Sequence, residues 1–286
     1  MRIIDRLNSG KVTLSFEVFP PKYSKNYDAV ALKAGEIAKL HPDFMSVTYG
    51  AGGGTSEYTV NIAKHIQEQE NVPVLAHLTC VSSTKEKVHT MLETFKDNGI
   101  ENIMALRGDL PEGNHPHDYD HAITLIKEIK EFDSNFCIGG ACYPEGHPEA
   151  HNKIEDIKHL KGKVDAGCDF LTSQMFFDNS IFYNFLFRAR EAGITVPILA
   201  GIMPITRKEQ VKRAIQLSGS SVPAEFVSMV DAFSDNEAAM KQAGIIYATK
   251  QIMDLIANGV KHIHVYTMNK PDVAAGIMNN LSELLK

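Results

Sequence analysis

Leu14-Ser15-Phe16-Glu17-Val18-Phe19-Pro20-Pro21 is an apolar, aromatic run with one carboxylate inside it and two prolines closing it. Its Val, Leu and Phe content reads as a buried strand, which the prolines end because they have no N–H for a sheet ladder. Burying an ionised carboxylate without a partner costs far more than one strand returns. Glu17 is therefore paired, protonated or kept for chemistry. A second run, Asn102-Ile103-Met104-Ala105-Leu106-Arg107-Gly108-Asp109-Leu110-Pro111, has the same design: a strand-like apolar segment that breaks into charge at its C-terminal end.

Outward from these two runs the pattern repeats. Short segments rich in Val, Ile and Phe predict strands near residues 12–18, 44–48, 74–79, 102–107, 137–143, 169–174, 197–202 and 261–266. Amphipathic stretches with helical spacing lie between them, among them Asp28 to Leu40, Thr84 to Asn98, Tyr119 to Phe132 and Glu155 to Ala166. Several end at glycine (Gly99, Gly167, Gly193, Gly259), the residue suited to a left-handed C-cap. Eight strand-helix units without a long linker or low-complexity tract predict an α/β fold, a closed (β/α)8 TIM barrel, as one domain over residues 1–286. Between strands seven and eight, residues 206–217, 223–231 and 235–257 predict two short helices and one long one, an elaborated return.

Composition narrows the function classes. With 286 residues and 44% hydrophobic content the chain can bury one large core. A net charge of -6, with no run of five or more Lys or Arg, offers no field for nucleic acid. No segment approaches the roughly 18 apolar residues of a membrane helix, and the N-terminus lacks the apolar region of a signal peptide. The expectation is no membrane and no nucleic-acid partner. Cys80, Cys137, Cys142 and Cys168 lie in or beside apolar segments and form no C-x-x-C pair, as expected of reduced core thiols in a cytoplasmic protein.

In such a barrel the chemistry sits at the C-terminal strand ends. These read, in order, Glu17; Thr48-Tyr49-Gly50; His77 with Thr79; Arg107-Gly108-Asp109; Tyr143; Gln174; Met203-Pro204; and Tyr266-Thr267. Glu17 is a candidate general acid or base, with Phe16, Phe19 and the prolines raising its pKa toward neutrality; the alternative is a salt bridge to Arg107. Asp109, before Leu110-Pro111, is a functional carboxylate or a turn cap. The stretch Gly50-Ala51-Gly52-Gly53-Gly54-Thr55-Ser56 is a ligand-approach loop or a flexible turn, and fits neither a dinucleotide fingerprint nor a P-loop. His77 is a ligand contact or a satisfied core histidine.

His115, His117, His121, His147 and His151 raise a metal site, but no helix motif of histidine and carboxylate accompanies them, and no metal is expected. No lysine stands at a strand end in apolar surroundings, and strand one lacks His-x-His, which argues against Schiff-base aldolases and metal-dependent hydrolases. The turns after strands seven and eight lack a glycine-rich phosphate grip.

Taken together, Ser15-Phe16-Glu17-Val18-Phe19-Pro20-Pro21, Ser46-Val47-Thr48-Tyr49-Gly50-Ala51, His77-Leu78-Thr79-Cys80, Arg107-Gly108-Asp109-Leu110-Pro111, Tyr143-Pro144-Glu145-Gly146-His147-Pro148, Lys163-Val164-Asp165-Ala166-Gly167, Gln174-Met175-Phe176-Phe177-Asp178 and Tyr266-Thr267-Met268-Asn269 closely resemble methylenetetrahydrofolate reductases, from about residue 11 to the C-terminus. The resemblance implies an FAD-containing barrel that reduces 5,10-methylenetetrahydrofolate to 5-methyltetrahydrofolate, the flavin itself being reduced by NADH or NADPH. It makes Glu17 the acid that opens the methylene bridge and Asp109 the carboxylate near flavin and pterin that favours a cationic iminium.

By the same resemblance Thr48, Tyr49, His77, Arg107, Gly108, Asp109, Tyr143, His147, Asp156 and Lys163 bind the cofactor. Glu17, Asp109, Gln174, Tyr266 and Lys270 meet the folate. A homo-oligomer is the expected assembly, and adenosylmethionine control is not expected, since the chain stops after the last barrel helix.

Three positions depart from the family pattern. Lys208 stands where an aromatic follows the strand-seven proline in well-known bacterial members. Gly162 stands where some members have an Arg, and Lys270 replaces another Arg. Lys208 keeps open an alternative in which this is a folate-reducing catalytic subunit whose electrons arrive through a partner protein.

Overall fold

A computed structural model describes residues 1–21, 23–49, 56–81, 83–108, 118–219 and 221–286. The glycine-rich stretch 50–55, Asp109 with Leu110-Pro111, and His115 and His117 lie outside the described residues.

The order of elements is α1 (Ile3–Leu7), β1 (Thr13–Val18), α2 (Tyr27–Ala38), β2 (Phe44–Val47), α3 (Ser56–Glu70), β3 (Val74–Thr79), α4 (Lys85–Asp97), β4 (Asn102–Leu106), α5 (Ala122–Phe132) and β5 (Cys137–Cys142). It continues with α6 (Lys153–Asp165), β6 (Phe170–Ser173), α7 (Asn179–Glu191), β7 (Ile198–Ile202), α8 (Lys208–Ser218), α9 (Ala224–Phe233), α10 (Glu237–Ala257), β8 (His262–Tyr266) and α11 (Pro271–Leu281). The eight strands are parallel and close as β1-β2-β3-β4-β5-β6-β7-β8, the barrel expected from the sequence. Each strand lies within about two residues of its expected span, and the return between β7 and β8 is elaborated by α8, α9 and α10. The helix expected from Tyr119 starts at Ala122, because His121 is extended at φ -139.

Alternation along each strand separates two cores. Leu14, Phe16, Val18, Met45, Val47, Ile103, Ile263 and Val265 point outward into the layer shared with the helices. Phe44, Leu75, Met104, Cys137, Phe170 and Leu199 pack inside the barrel, near the strand starts. Ile3 and Leu7 of α1 join this inner cluster and plug its N-terminal end. Asn102 ties the plug down: its Oδ1 accepts from Ile3 N (2.7 Å), and its Nδ2 donates to Val74 O (3.1 Å) and Met1 O (3.2 Å).

The apolar floor stops halfway up. Above it, toward the strand C-termini, the inward positions are Ser15, Glu17, Ser46, His77, His264 and Tyr266, so the barrel changes from oil to polar groups along its axis. Among the described residues no helix is long and apolar enough to cross a membrane.

Gly201 on β7 is required at that transition. A Cβ there would lie 2.1 Å from Ser173 O and 2.8 Å from Tyr266 Oη, and the Tyr266 hydroxyl donates to the same carbonyl at 2.6 Å. Gly201→Ala should cost about 1–3 kcal/mol in chemical denaturation, as overpacked sites do. An unchanged midpoint would show that the β6–β7 contact is looser than this.

Candidate active site

One cavity of about 870 Å³ opens at the C-terminal ends of the strands and runs outward across β4, β5 and α6. Its volume is in the upper range of small-molecule sites. Among the sequence-predicted residues, Glu17, His77, Arg107, Gly108, Tyr143, His147, Asp156, Lys163, Gln174 and Tyr266 all line it. Thr48, Tyr49 and Lys270 are described but are not on its wall.

Thr48 and Tyr49 lead into the stretch 50–55; the Thr48 carbonyl accepts from Thr59 Oγ1 at 3.0 Å. Lys270 turns to the loop after β7, where its Nζ donates to Thr206 Oγ1 at 2.6 Å. Burial, and then the nearby charge of Arg207, lower its pKa. Lys208 is exposed and also off the wall, whereas Gln210 and Arg213 of the same helix are on it.

Glu17 sits at the inner end. Ser46 Oγ donates to its Oε2 at 3.3 Å, and His77 Nε2 and His264 Nε2 lie 3.6 and 3.7 Å from the same oxygen. Its side chain is 19% exposed. Neither the pKa expectation nor the salt-bridge alternative holds. Phe16 points to the helix layer and Phe19 is 38% exposed, so neither forms an apolar niche around the carboxyl group. Burial does raise the Glu17 pKa, but the nearby imidazoles of His264 and His77 and the Ser46 hydroxyl outweigh it, and the net shift is downward. Arg107 pairs instead with Glu149, Nη2 to Oε1 at 2.8 Å.

Burial pushes the His77 imidazole down to about 4, the Glu17 charge opposing and the His264 charge assisting. His77 is neutral at physiological pH. The ends of β1 and β8 are tied around this cluster: Thr267 Oγ1 donates to Glu17 O (2.7 Å), and Asn269 bonds both Phe19 N (2.9 Å) and Phe19 O (2.8 Å). Met268 and Asn269 adopt φ of 55 and 53, a conformation that costs non-glycine residues energy and is maintained by these bonds.

His264 was not among the sequence candidates. Its ring bridges two strands, Nδ1 2.8 Å from Ser15 Oγ on β1 and Nε2 3.2 Å from Ser46 Oγ on β2, and it stacks on Phe44. The legible signal was the alternation His262-Ile263-His264-Val265-Tyr266, which puts three polar side chains on one face of a strand.

The outer arm of the cavity carries cations and histidines. Lys163 Nζ donates to Ala141 O at 3.0 Å. Burial lowers the His147 pKa, Arg107 reinforcing, and the ring accepts from Glu149 N at its Nδ1 (3.2 Å), which leaves the proton on Nε2. Burial raises the Asp156 carboxyl against the pull of the His147 backbone N–H and Lys163. Gly162 contributes no cation, but Lys158, one helical turn earlier on α6, lines the same wall.

Thr172 Oγ1 is buried on this cavity with no hydrogen-bond partner among the described residues, a donor placed for a ligand. Gly108, at φ 85, allows close approach where a side chain would be strained.

A cation-lined arm, an apolar wall of Leu75, Met104, Leu106, Ala141 and Met203, and an orphan hydroxyl suit a planar group with an anionic tail. FAD fits that description.

The family profile described as Methylenetetrahydrofolate reductase matches residues 2–282. A Zea mays protein named methylenetetrahydrofolate reductase (NADH) 1 is 36% identical over 98% of this chain and 50% of its own length. The Escherichia coli (strain K12) 5,10-methylenetetrahydrofolate reductase is 36% identical over 95% of this chain and 91% of its own. The chain thus spans about half the length of the plant relatives it matches and most of the bacterial one. A solved Clostridium thermocellum protein, described as binding two copies of 5-methyl-5,6,7,8-tetrahydrofolic acid, shares the fold with a TM-score of 0.69 at 12% identity, covering 99% of both chains.

Proposed function

Because the chain belongs to the methylenetetrahydrofolate reductase family, we propose that it reduces 5,10-methylenetetrahydrofolate to 5-methyltetrahydrofolate, using FAD and NADH. The observation that carries this reading is a single cavity that joins a carboxyl group inside the barrel mouth to a cation-lined arm. The nicotinamide choice follows the relatives whose names carry NADH. When bound, FAD supplies hydride transfer from nicotinamide to the folate one-carbon unit.

Lys163, Lys158 and Arg107 offset the cofactor's diphosphate charge. The apolar wall and Tyr143 flank its ring, and His147, Asp156 and Thr172 offer hydrogen bonds. Glu17, ionised in the open site, takes up a proton as the bound folate displaces water and delivers it to a folate ring nitrogen, which opens the methylene bridge to an iminium. Gln174 lines the same chamber and its Oε1 accepts from the Met175 N–H at 2.9 Å, which leaves its amide NH2 to meet the pterin. The Tyr266 hydroxyl is engaged by Ser173 O and its pKa is raised well above the ordinary value, chiefly by burial; it serves as a neutral wall. Asp109, outside the described residues, is the proposed second carboxylate, stabilising the cationic iminium.

The test is a visible spectrum of the purified protein under anaerobic conditions. Yellow protein that bleaches with NADH and recolours on adding methylenetetrahydrofolate, with methyltetrahydrofolate formed, supports the proposal. Protein that cannot be reconstituted with FAD overturns it; failure to bleach without a second protein favours partner-delivered electrons. Lys163→Met should weaken FAD binding about 10–100-fold, the worth of one charged hydrogen bond, read as the dissociation constant in flavin fluorescence titration. Unaltered affinity would remove Lys163 from the diphosphate site.

A further inference from the structure

We propose that Thr172 is a specificity-determining residue for the flavin ring, its hydroxyl being a hydrogen-bonding group reserved for the ring's polar edge. This rests on the FAD-dependent function proposed for the chain. Thr172 lies on β6 between two inward neighbours, Phe170 in the apolar floor and Gln174 on the cavity wall. In the ladder it pairs with Ala141 on β5 and Leu199 on β7. The side chain is 4% exposed, and the packing around it does not require a hydroxyl. Valine has the same branched shape and fits a strand as well.

The polar groups around it are already engaged. Tyr266 Oη donates to Ser173 O at 2.6 Å, Ser173 Oγ accepts from Gly201 N at 2.8 Å, Ser46 Oγ donates to Glu17 Oε2 at 3.3 Å, and Gln174 Oε1 accepts from Met175 N at 2.9 Å. Among the described residues, Thr172 is the only side chain on the cavity wall with a covered polar atom and no hydrogen-bond partner. Such a hydroxyl destabilises the open site, because it is cut off from water and has no replacement. Rules of this kind are broken at functional sites, where a ligand completes the match.

Because Oγ1 is covered, it meets the ligand by rotation about χ1. The turn exchanges hydroxyl for methyl, groups of like size, between staggered wells and leaves the backbone in place.

Position selects the flavin over the pterin. Ala141, the ladder partner, belongs to the apolar wall assigned to the flavin ring. Its carbonyl accepts at 3.0 Å from Lys163 Nζ, the cation assigned to the diphosphate. Gln174, assigned to the pterin, is two residues closer to the mouth on the same strand face. The chemistry agrees with the position. A flavin exchanges ring-nitrogen acceptors for N–H donors on reduction, and a hydroxyl serves both forms because it donates and accepts with one rotatable proton.

Flavin fluorescence titration tests the assignment. Thr172→Val should weaken FAD and riboflavin by the same factor, about tenfold, the measure of one neutral hydrogen bond. Thr172→Ser, which keeps the hydroxyl, should recover most of that loss. Riboflavin carries the ring without the diphosphate, so equal loss places the contact on the ring. Unchanged affinity for both, or a loss with FAD alone, overturns the inference. A loss confined to the KM for methylenetetrahydrofolate gives the hydroxyl to the pterin and also overturns it. Urea unfolding of the flavin-free protein is the second arm. The midpoint of Thr172→Val should equal or exceed that of the unsubstituted protein, since an unpartnered polar group has been removed. A lower midpoint shows a hydroxyl already bonded within the protein and overturns the inference. If the unsubstituted protein binds neither flavin, the functional proposal fails, while the urea arm still judges the orphan hydroxyl.

Discussion

Glu17→Gln is expected to lower the rate of methyltetrahydrofolate formation by about 10²–10⁴-fold while the protein still binds flavin and the flavin is still reduced by nicotinamide. Among the described residues, Glu17 is the only carboxylate at the inner end of the cavity; Glu149, Glu155 and Asp156 lie along the outer arm. The amide matches the carboxyl group in size and can still accept from Ser46, so the cavity keeps its shape and loses only the ionisable proton. Following the two half-reactions separately assigns the loss. Unchanged methyltetrahydrofolate formation would remove Glu17 from proton transfer, and equal loss in both half-reactions would make its part structural.

The barrel was legible because its evidence is local. Each strand announces itself by a run of Val, Ile, Leu or Phe, and the helix ends at Gly99, Gly167, Gly193 and Gly259 all adopt positive φ, as an unstrained left-handed C-cap requires. Position on a strand end was legible too, which is why ten of the expected residues share one cavity. What failed was the environment of those residues. Phe16 is next to Glu17 in the chain, but successive strand residues point to opposite faces, so it packs on helices while the carboxyl group meets imidazoles. The groups that set the Glu17 pKa come from residues 46, 77 and 264. His264 looked like one more member of an apolar run. Closing the sheet against β1, in the register Ser15 to His264, gives it its partners. The α1 plug was missed for a different reason: five residues are too few to show a helical period.

Acid is expected to destabilise the protein well above the pH at which most carboxylates titrate. His77 and His262 are both pushed down to about 4, His77 chiefly by burial and His262 by burial and then by the charge of Lys261. In the unfolded chain both return to the ordinary value of 6.5. Between about pH 6.5 and 4 the unfolded state therefore binds two protons that the folded state refuses, and stability falls with pH by up to about 2.7 kcal/mol per unit. Integrated over the window, each histidine contributes about 3 kcal/mol, and together they rival the whole stability of many domains.

Shifted carboxyl groups, Glu17 and Asp156 among them, modify the curve with both signs. The lowered Glu17 stabilises the fold above its ordinary value of 4.5 and loses that contribution as pH falls through its folded value, which steepens the acid limb. The raised Asp156 is strained when ionised, and acid relieves it. Urea midpoints measured in steps from about pH 7.5 to 4.5 should decline throughout the histidine window, and His77→Gln should remove about half of the slope because glutamine takes up no proton on unfolding. Stability that stays flat from about pH 7 to 5 would mean that the barrel admits a charged imidazole, and the neutral His77 beside Glu17 would have to be abandoned.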